Sequence, residues 1–154
     1  MERTFIILKA DCLLRGMIGE VISRFEKKGL KIVAVKMMKL DDEILNKHYA
    51  HHAGKPFFKR LVEFMVLAPV VCLVLEGKGA VSVVRKMSGV TNSREAEPGT
   101  IRGDLSLSMQ SNIIHASDSL ETAKKEIKLY FKDGELFNYD LPIYKFQYAN
   151  DELE

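Results

Sequence analysis

The sequence has no tryptophan, two cysteines and four prolines among its 154 residues. Cys12 and Cys72 form no CxxC pair, which excludes a disulfide framework and a four-cysteine zinc site and makes a reducing cytoplasm the expected compartment. With ten glycines as well, the chain is neither collagen-like nor low-complexity. An excess of one charge is also missing. The 23 Lys and Arg residues against 21 Asp and Glu leave a formal charge of +2, which does not indicate a sequence-independent nucleic-acid binder or a polybasic membrane segment. Any anion must therefore be caught locally. The longest apolar run, residues 64–75, is broken by Pro69 and falls short of the ~20 residues that span a bilayer. The apolar stretch 5–8 meets Lys9 and Asp11 at once, so it does not read as a secretory leader, and no membrane association is expected.

What is present reads as a globular chain: 47% of residues are hydrophobic and 29% charged, and 154 residues suit one domain with one core. Residues 4–9 read as a strand. Residues 15–29 read as a helix, because Met17, Ile18, Val21, Ile22 and Phe25 recur at helical spacing and Gly29 follows as a stop. Residues 30–39 form a second strand, and Asp41-Asp42 open a polar, helix-prone stretch through His52 towards Gly54. Pro56 starts a helix that ends near Ala68, since the residue before Pro69 is pushed out of the α region. Residues 70–75 are a strand buried on both faces, and residues 79–87 a short helix with Val81, Val84 and Met87 inward. Ile113-Ile114 make a short strand. Residues 120–131 form a last helix with Leu120, Ala123, Ile127 and Tyr130 on its core face, and a polar tail dotted with aromatics follows. The order is βαβ, a helical excursion, then βαβ again, which predicts an α+β sheet in the split βαβ arrangement.

Residues 88–111 break the periodicity and read as a long loop, and loops of this length inside compact domains are usually functional or disordered. The segment carries Arg94, Arg102, Thr91, Thr100 and several glycines, which are groups that hold phosphate oxygens. Arg85 adds a guanidinium just upstream. After the loop, Asn112-Ile113-Ile114-His115-Ala116-Ser117-Asp118-Ser119 places an imidazole at a strand end just before three N-cap residue types. Glu126 flanks the apolar stripe of the following helix, where a carboxylate can orient the ring. A lone histidine after a strand is ordinarily structural. Here it has a carboxylate and several cationic donors for company, which are the parts a nucleophilic imidazole requires.

Asn112, His115, Ala116, Ser117 and Asp118 match N-x-x-H-[G/A]-S-D, and the sequence resembles the nucleoside diphosphate kinase family. The stretches ERTFIILK, RFEKKG, HYA, KPFF and PGTIRGD extend the resemblance, without gaps, over most of the chain. It implies a ferredoxin-like fold with a four-stranded antiparallel sheet covered by helices. It also implies reversible ping-pong transfer of a terminal phosphoryl group between nucleoside tri- and diphosphates, with His115 as nucleophile and Glu126 and Ser117 positioning its ring. Lys9, Tyr49, Arg85, Thr91 and Arg102 match phosphate-side residues of the family, and Asn112 with Lys9 the sugar-hydroxyl contacts. Phe57 matches the stacking aromatic, with Leu61 beside it and Met109 opposite. Mg²⁺, held mainly by the phosphates, is implied as cofactor and approached by Asp118 through water. A homo-oligomer is implied, hexameric in preference to tetrameric. Departures from the family pattern are Ala10 and Cys12 where Pro and Gly are usual, Ser93 where Pro is common, and a tail from about residue 139 without the usual Trp.

Other readings are weaker. Gly77-x-Gly79-x-x-Ser82 begins like a dinucleotide-binding fingerprint but lacks its third glycine and a closing acidic residue. His48, His51 and His52 have no H-E-x-x-H pattern and no nearby cysteine, so they read as a solvated polar face and not as metal ligands. A non-catalytic nucleotide-binding regulatory module on the same fold is the alternative function. Such a module would be expected to lose His115, Arg102 or Lys9, all of which are present.

Overall fold

The computed structural model describes residues 1–153. Four strands, β1 (Glu2–Leu8), β2 (Lys31–Met38), β3 (Val70–Gly77) and β4 (Ile114–Ala116), form one sheet in the order β2-β3-β1-β4. Every pairing is antiparallel. The helices are α1 (Ala10–Leu14), α2 (Ile18–Lys28), α3 (Asp42–His48), α4 (Phe58–Met65), α5 (Ala80–Ser88), α6 (Ile101–Leu105), α7 (Leu120–Tyr130), α8 (Tyr144–Gln147) and α9 (Asn150–Leu153). The order and the α+β architecture are those expected from the sequence.

Both faces of the sheet are covered, which is why β1 and β3 are nearly continuous apolar runs. Side chains alternate across a strand, so Ile6, Leu8, Leu73 and Leu75 meet Val21 and Phe25 of α2 and Ala80 and Val84 of α5. Phe5, Ile7, Cys72 and Val74 instead meet Leu45 of α3, Met65 of α4 and Ile127 and Tyr130 of α7. Burial of one such large apolar side chain contributes about 1.5–3 kcal/mol. The excursion between β2 and β3 therefore has a structural role: with α7 it forms the second covering layer. An antiparallel sheet also removes the dinucleotide reading at Gly77, which needs parallel βαβ units.

Four expectations are corrected. The helix expected at 15–29 starts three residues later, at Ile18, and a separate short helix that was not expected, α1, precedes it; Gly16, left-handed at φ +67°, lies between the two. The expected stop at Gly29 is present, with φ +89° and its N–H bonded to the Glu26 carbonyl. Residues 88–111 are not a plain loop, since they hold a 3₁₀ turn at Ser93–Glu95 and α6, whose N-cap Thr100 accepts a hydrogen bond from the Gly103 N–H. Leu120 is 40% exposed, and the inward stripe of α7 is Ala123, Glu126, Ile127 and Tyr130. His48, expected on a solvated face, is buried with Leu45, three residues earlier on α3.

After α7 the chain turns back across the end of the sheet. Phe137 N–H donates to the Val33 carbonyl, the Tyr139 hydroxyl to the Ile32 carbonyl and the Gln147 amide to the Gly29 carbonyl. A Cβ on Gly29 would meet the Gln147 side chain at 2.0 Å. The glycine is thus needed twice, for the helix stop and for this approach.

Candidate active site

His115 sits in β4 opposite Ile7 of β1. Ile114 and Ala116 on either side are buried, and strand alternation turns the imidazole to the face that carries α3 and α7. There its Nε2 lies 2.9 Å from Glu126 Oε1. The Ser117 hydroxyl donates to the other carboxylate oxygen, Oε2, and lies 3.3 Å from the Phe5 carbonyl. Burial works to raise the Glu126 carboxyl, but the hydrogen bond and charge of His115, with the Ser117 bond, outweigh it and hold the group below its ordinary value. A carboxylate facing Nε2 fixes that nitrogen as the N–H donor, which leaves the lone pair on Nδ1.

The approach to His115 is held by a strained backbone. Ile113 is fully buried at φ +73°, a conformation that costs a β-branched residue about 1–3 kcal/mol. Its N–H donates to Asp11 Oδ2 at 3.0 Å and its carbonyl accepts from the Lys9 N–H at 2.9 Å. Arg102 clamps both sides of it. The guanidinium donates to the carbonyls of Ile114 at 2.6 Å, Gly89 at 2.7 Å and Asn112 at 3.3 Å. Burial, with Arg85 nearby, lowers the Arg102 group to about 10.

Lys9 reaches the Gln110 carbonyl at 2.6 Å and the Asn112 side-chain oxygen. Asn112 in turn donates to the carbonyls of Met109 and Thr91, at 2.7 and 3.0 Å. Burial, against the pull of Asp11 and with the push of Arg102, brings the Lys9 ammonium down to about 8. These groups open onto a cleft of about 550 Å³ lined by Lys9, Tyr49, Phe57, Leu61, Arg85 and Thr91, and by Arg102, Met109, Asn112, His115, Asp118 and Glu126. Every site residue implied by the family resemblance lines this cleft except Ser117, which lies buried behind Glu126. Thr100 and Arg94 do not line it: Thr100 is spent on capping α6. Among the lining residues Phe57 is 41% exposed and Met109 60% exposed, so two large apolar side chains of the cleft stand open to solvent.

A family model described as nucleoside diphosphate kinase matches residues 2–136. The chain belongs to the nucleoside diphosphate kinase family. It is 57% identical over 141 residues to the nucleoside diphosphate kinase of Pyrococcus abyssi, covering 90% of this chain and 89% of that one. It is 54% identical to that of Parabacteroides distasonis, over 99% of this chain and 100% of the relative. A solved structure of a halophilic nucleoside diphosphate kinase from Halobacterium salinarum in complex with CDP superposes with a TM-score of 0.94 at 43% identity, covering 96% and 99% of the two chains. Membership of this family is what makes the cleft, and not any other surface, the candidate active site.

His48, Asp11 and Ile113 bear on the site in ways the sequence reading did not give, and Arg60, Gln110 and Thr122 line the cleft without having been singled out. His48 lies behind His115, its ring centroid 4.6 Å away and nearly perpendicular. Burial, with His115 next to it, holds this imidazole down to about 3, so it is neutral. Its spacing from Leu45 on α3 was the available signal. Asp11 and the φ of Ile113 had none, because the contact between them joins positions far apart in sequence.

Proposed function

We propose that the protein transfers the terminal phosphoryl group of a nucleoside triphosphate, mainly ATP, to a nucleoside diphosphate and back, through a phosphohistidine at His115. The observation that carries this reading is the 2.9 Å contact of His115 Nε2 with Glu126 Oε1. In the first half-reaction the Nδ1 lone pair forms an N–P bond while the bond from the γ-phosphorus to its bridging oxygen breaks, and the electron pair leaves on the diphosphate. Positive charge gathered on the ring is met by the Glu126 carboxylate. The second half-reaction runs the same steps backwards onto another diphosphate. A phosphoramidate keeps transfer potential close to that of the triphosphate, whereas a serine ester would be a trap, and this explains the choice of imidazole.

Phosphoryl transfer passes through a loose transition state, so positioning and charge stabilisation supply most of the catalysis. Lys9, Arg85 and Arg102 supply cationic charge along the phosphate path, with the Thr91 and Tyr49 hydroxyls as donors. Burial keeps the Tyr49 phenol protonated far above its ordinary range. Asn112 and Lys9 are placed to meet sugar hydroxyls. Phe57 offers a face for stacking, which is tolerant of base identity and contributes ~1–3 kcal/mol, with Leu61 and Met109 flanking the base. Mg²⁺ is assigned to the phosphates themselves. Asp118, an exposed carboxylate on the cleft held ionised by its hydrogen bond with Thr122, suits an ion that keeps its waters and takes only one or two carboxylates.

The working form is proposed to be a homo-oligomer, a hexamer in preference to a tetramer. β2 is an edge strand with Val35 and Met37 exposed, and Leu14, Val90 and Leu107 are exposed elsewhere. Light scattering decides its size. Among the described residues no helix is long and apolar enough to cross a membrane, and the cytoplasm is the proposed compartment, in keeping with two buried free thiols, Cys12 and Cys72. A silent nucleotide-binding module is disfavoured by the oriented nucleophile. The test is direct: ATP and Mg²⁺ should yield an isolable phosphoprotein that converts GDP to GTP. Retention of either step by His115→Ala would overturn the reading.

A further inference from the structure

The Glu126 carboxylate carries two imidazoles on one oxygen. Besides His115, His48 places its Nε2 3.6 Å from the same Oε1, and phosphoryl transfer uses only the first. One donor atom from each of His48, His115 and Glu126 lies within 4.8 Å of the other two. We propose that these three residues form a reversible binding site for a transition-metal dication of the zinc class, entered from the cleft and mutually exclusive with the phosphohistidine.

Two neutral imidazoles and one carboxylate with an open fourth position are the donor set of a catalytic-type zinc site. Bonds of ~2.0–2.2 Å at tetrahedral angles separate ligand atoms by ~3.3 Å; the two edges to Glu126, 2.9 and 3.6 Å, bracket that value, and the edge between the two imidazoles, within 4.8 Å, closes to it on binding. The Ser117 hydroxyl on Oε2 holds the carboxylate in place, as outer hydrogen bonds do for metal ligands generally. His115 and Glu126 both line the cleft, which gives an ion a way in and a water or phosphate oxygen a place as fourth ligand. Imidazole donors suit zinc, cobalt or copper and not the harder Mg²⁺. His48 Nδ1 has no hydrogen-bond partner among the described residues, so the bound form leaves that N–H unpaired and the site weaker than a structural zinc centre.

The neighbouring pair His51 and His52 is a poorer candidate. Their rings touch, with centroids 3.9 Å apart, but the amine of Lys55 lies 3.1 Å from His52 Nδ1, and among the described residues no carboxylate joins them in a cluster of three. At the proposed site, a metal on His115 Nε2 moves the ring proton to Nδ1 with no net proton release. That protonation removes the lone pair that attacks phosphorus. The exclusion of phosphorylation rests on the phosphohistidine reading; the site itself does not.

The test uses the full chain, freed of metal by chelator and without nucleotide, with Co²⁺ as a spectroscopic probe and Zn²⁺ by titration calorimetry. The expected result is one ion per chain, with the visible bands of low-coordinate cobalt. His48→Phe, which keeps an aromatic in place, and His48→Asn should each weaken binding roughly tenfold or more. The double variant His51→Ala/His52→Ala should bind as the parent does. Prior phosphorylation with ATP and Mg²⁺ should suppress uptake. No cobalt bands and no zinc heat, binding indifferent to both His48 variants, or binding lost with His51 and His52 would each overturn the site. Equal uptake by the phosphoprotein would overturn the exclusion alone, while failure to form any phosphoprotein would count against the phosphohistidine reading and leave the site standing.

Discussion

His115 Nε2 and Glu126 Oε1 stand 2.9 Å apart, and this one contact decides which ring nitrogen can act. Glu126→Gln keeps an acceptor for the ring but loses the charge that meets the developing imidazolium. A charge-assisted hydrogen bond contributes ~1.5–3 kcal/mol, so turnover should fall on the order of tenfold to a hundredfold. Rapid-quench measurement of phosphoenzyme formation checks this, and a loss under threefold would show that the carboxylate does not orient the ring.

Arg102 donates to the two backbone carbonyls that flank Ile113, those of Asn112 and Ile114, and to that of Gly89 at the end of α5. Arg102→Ala strips buried carbonyls of their partner at ~1–3 kcal/mol each and should lower both the melting temperature and the rate. Phosphate clamping and backbone support then separate in one comparison. Restoring stability with ligand while turnover stays low would place the guanidinium on the phosphate path; rates that recover with stability would make it purely a scaffold.

Burial lowers Lys9 from 10.5 to about 8, which sets an alkaline limb. Below about 8 the lysine is charged in the fold and available to an anion; above it the charge is lost. The value of kcat/KM reports the free enzyme, so it should decline as pH rises past about 8, and Lys9→Gln should abolish that limb. The stability effect has the opposite sense. The unfolded chain binds the extra proton between about 8 and 10.5, so the cost of burying the ammonium is fully present below this window and is relieved as pH climbs through it.

The two covering layers were legible in the apolar run 70–75, which has no polar alternation and so demands a sheet packed on two sides. His115 and Glu126 were legible from the strand end and from the edge of the α7 stripe. Gly16 was not: a glycine inside an apolar helical pattern gives no hint that its φ will be positive. Burial of His48 followed from packing against Phe5 and Tyr130, which its polar neighbours in sequence obscured. The strain at Ile113 depends on Asp11, and such a constraint is written in tertiary contacts alone.

Phe57→Ala removes the exposed face proposed for stacking. A loss of ~1–3 kcal/mol raises KM about fivefold to a hundredfold, with kcat changed far less, and similarly for purine and pyrimidine nucleotides. Initial-rate kinetics with ADP, GDP and CDP as acceptors check this. A penalty confined to one base would mean that the site reads base edges and not their faces.

The most direct measurement is the bonding of phosphorus in the isolated phosphoprotein, by ³¹P NMR of the denatured chain beside both phosphohistidine isomers. Phosphate on Nδ1 of His115 is the expected result. Phosphate on Nε2, on Ser117 or on no side chain would contradict the assignment of Glu126 as the group that frees Nδ1.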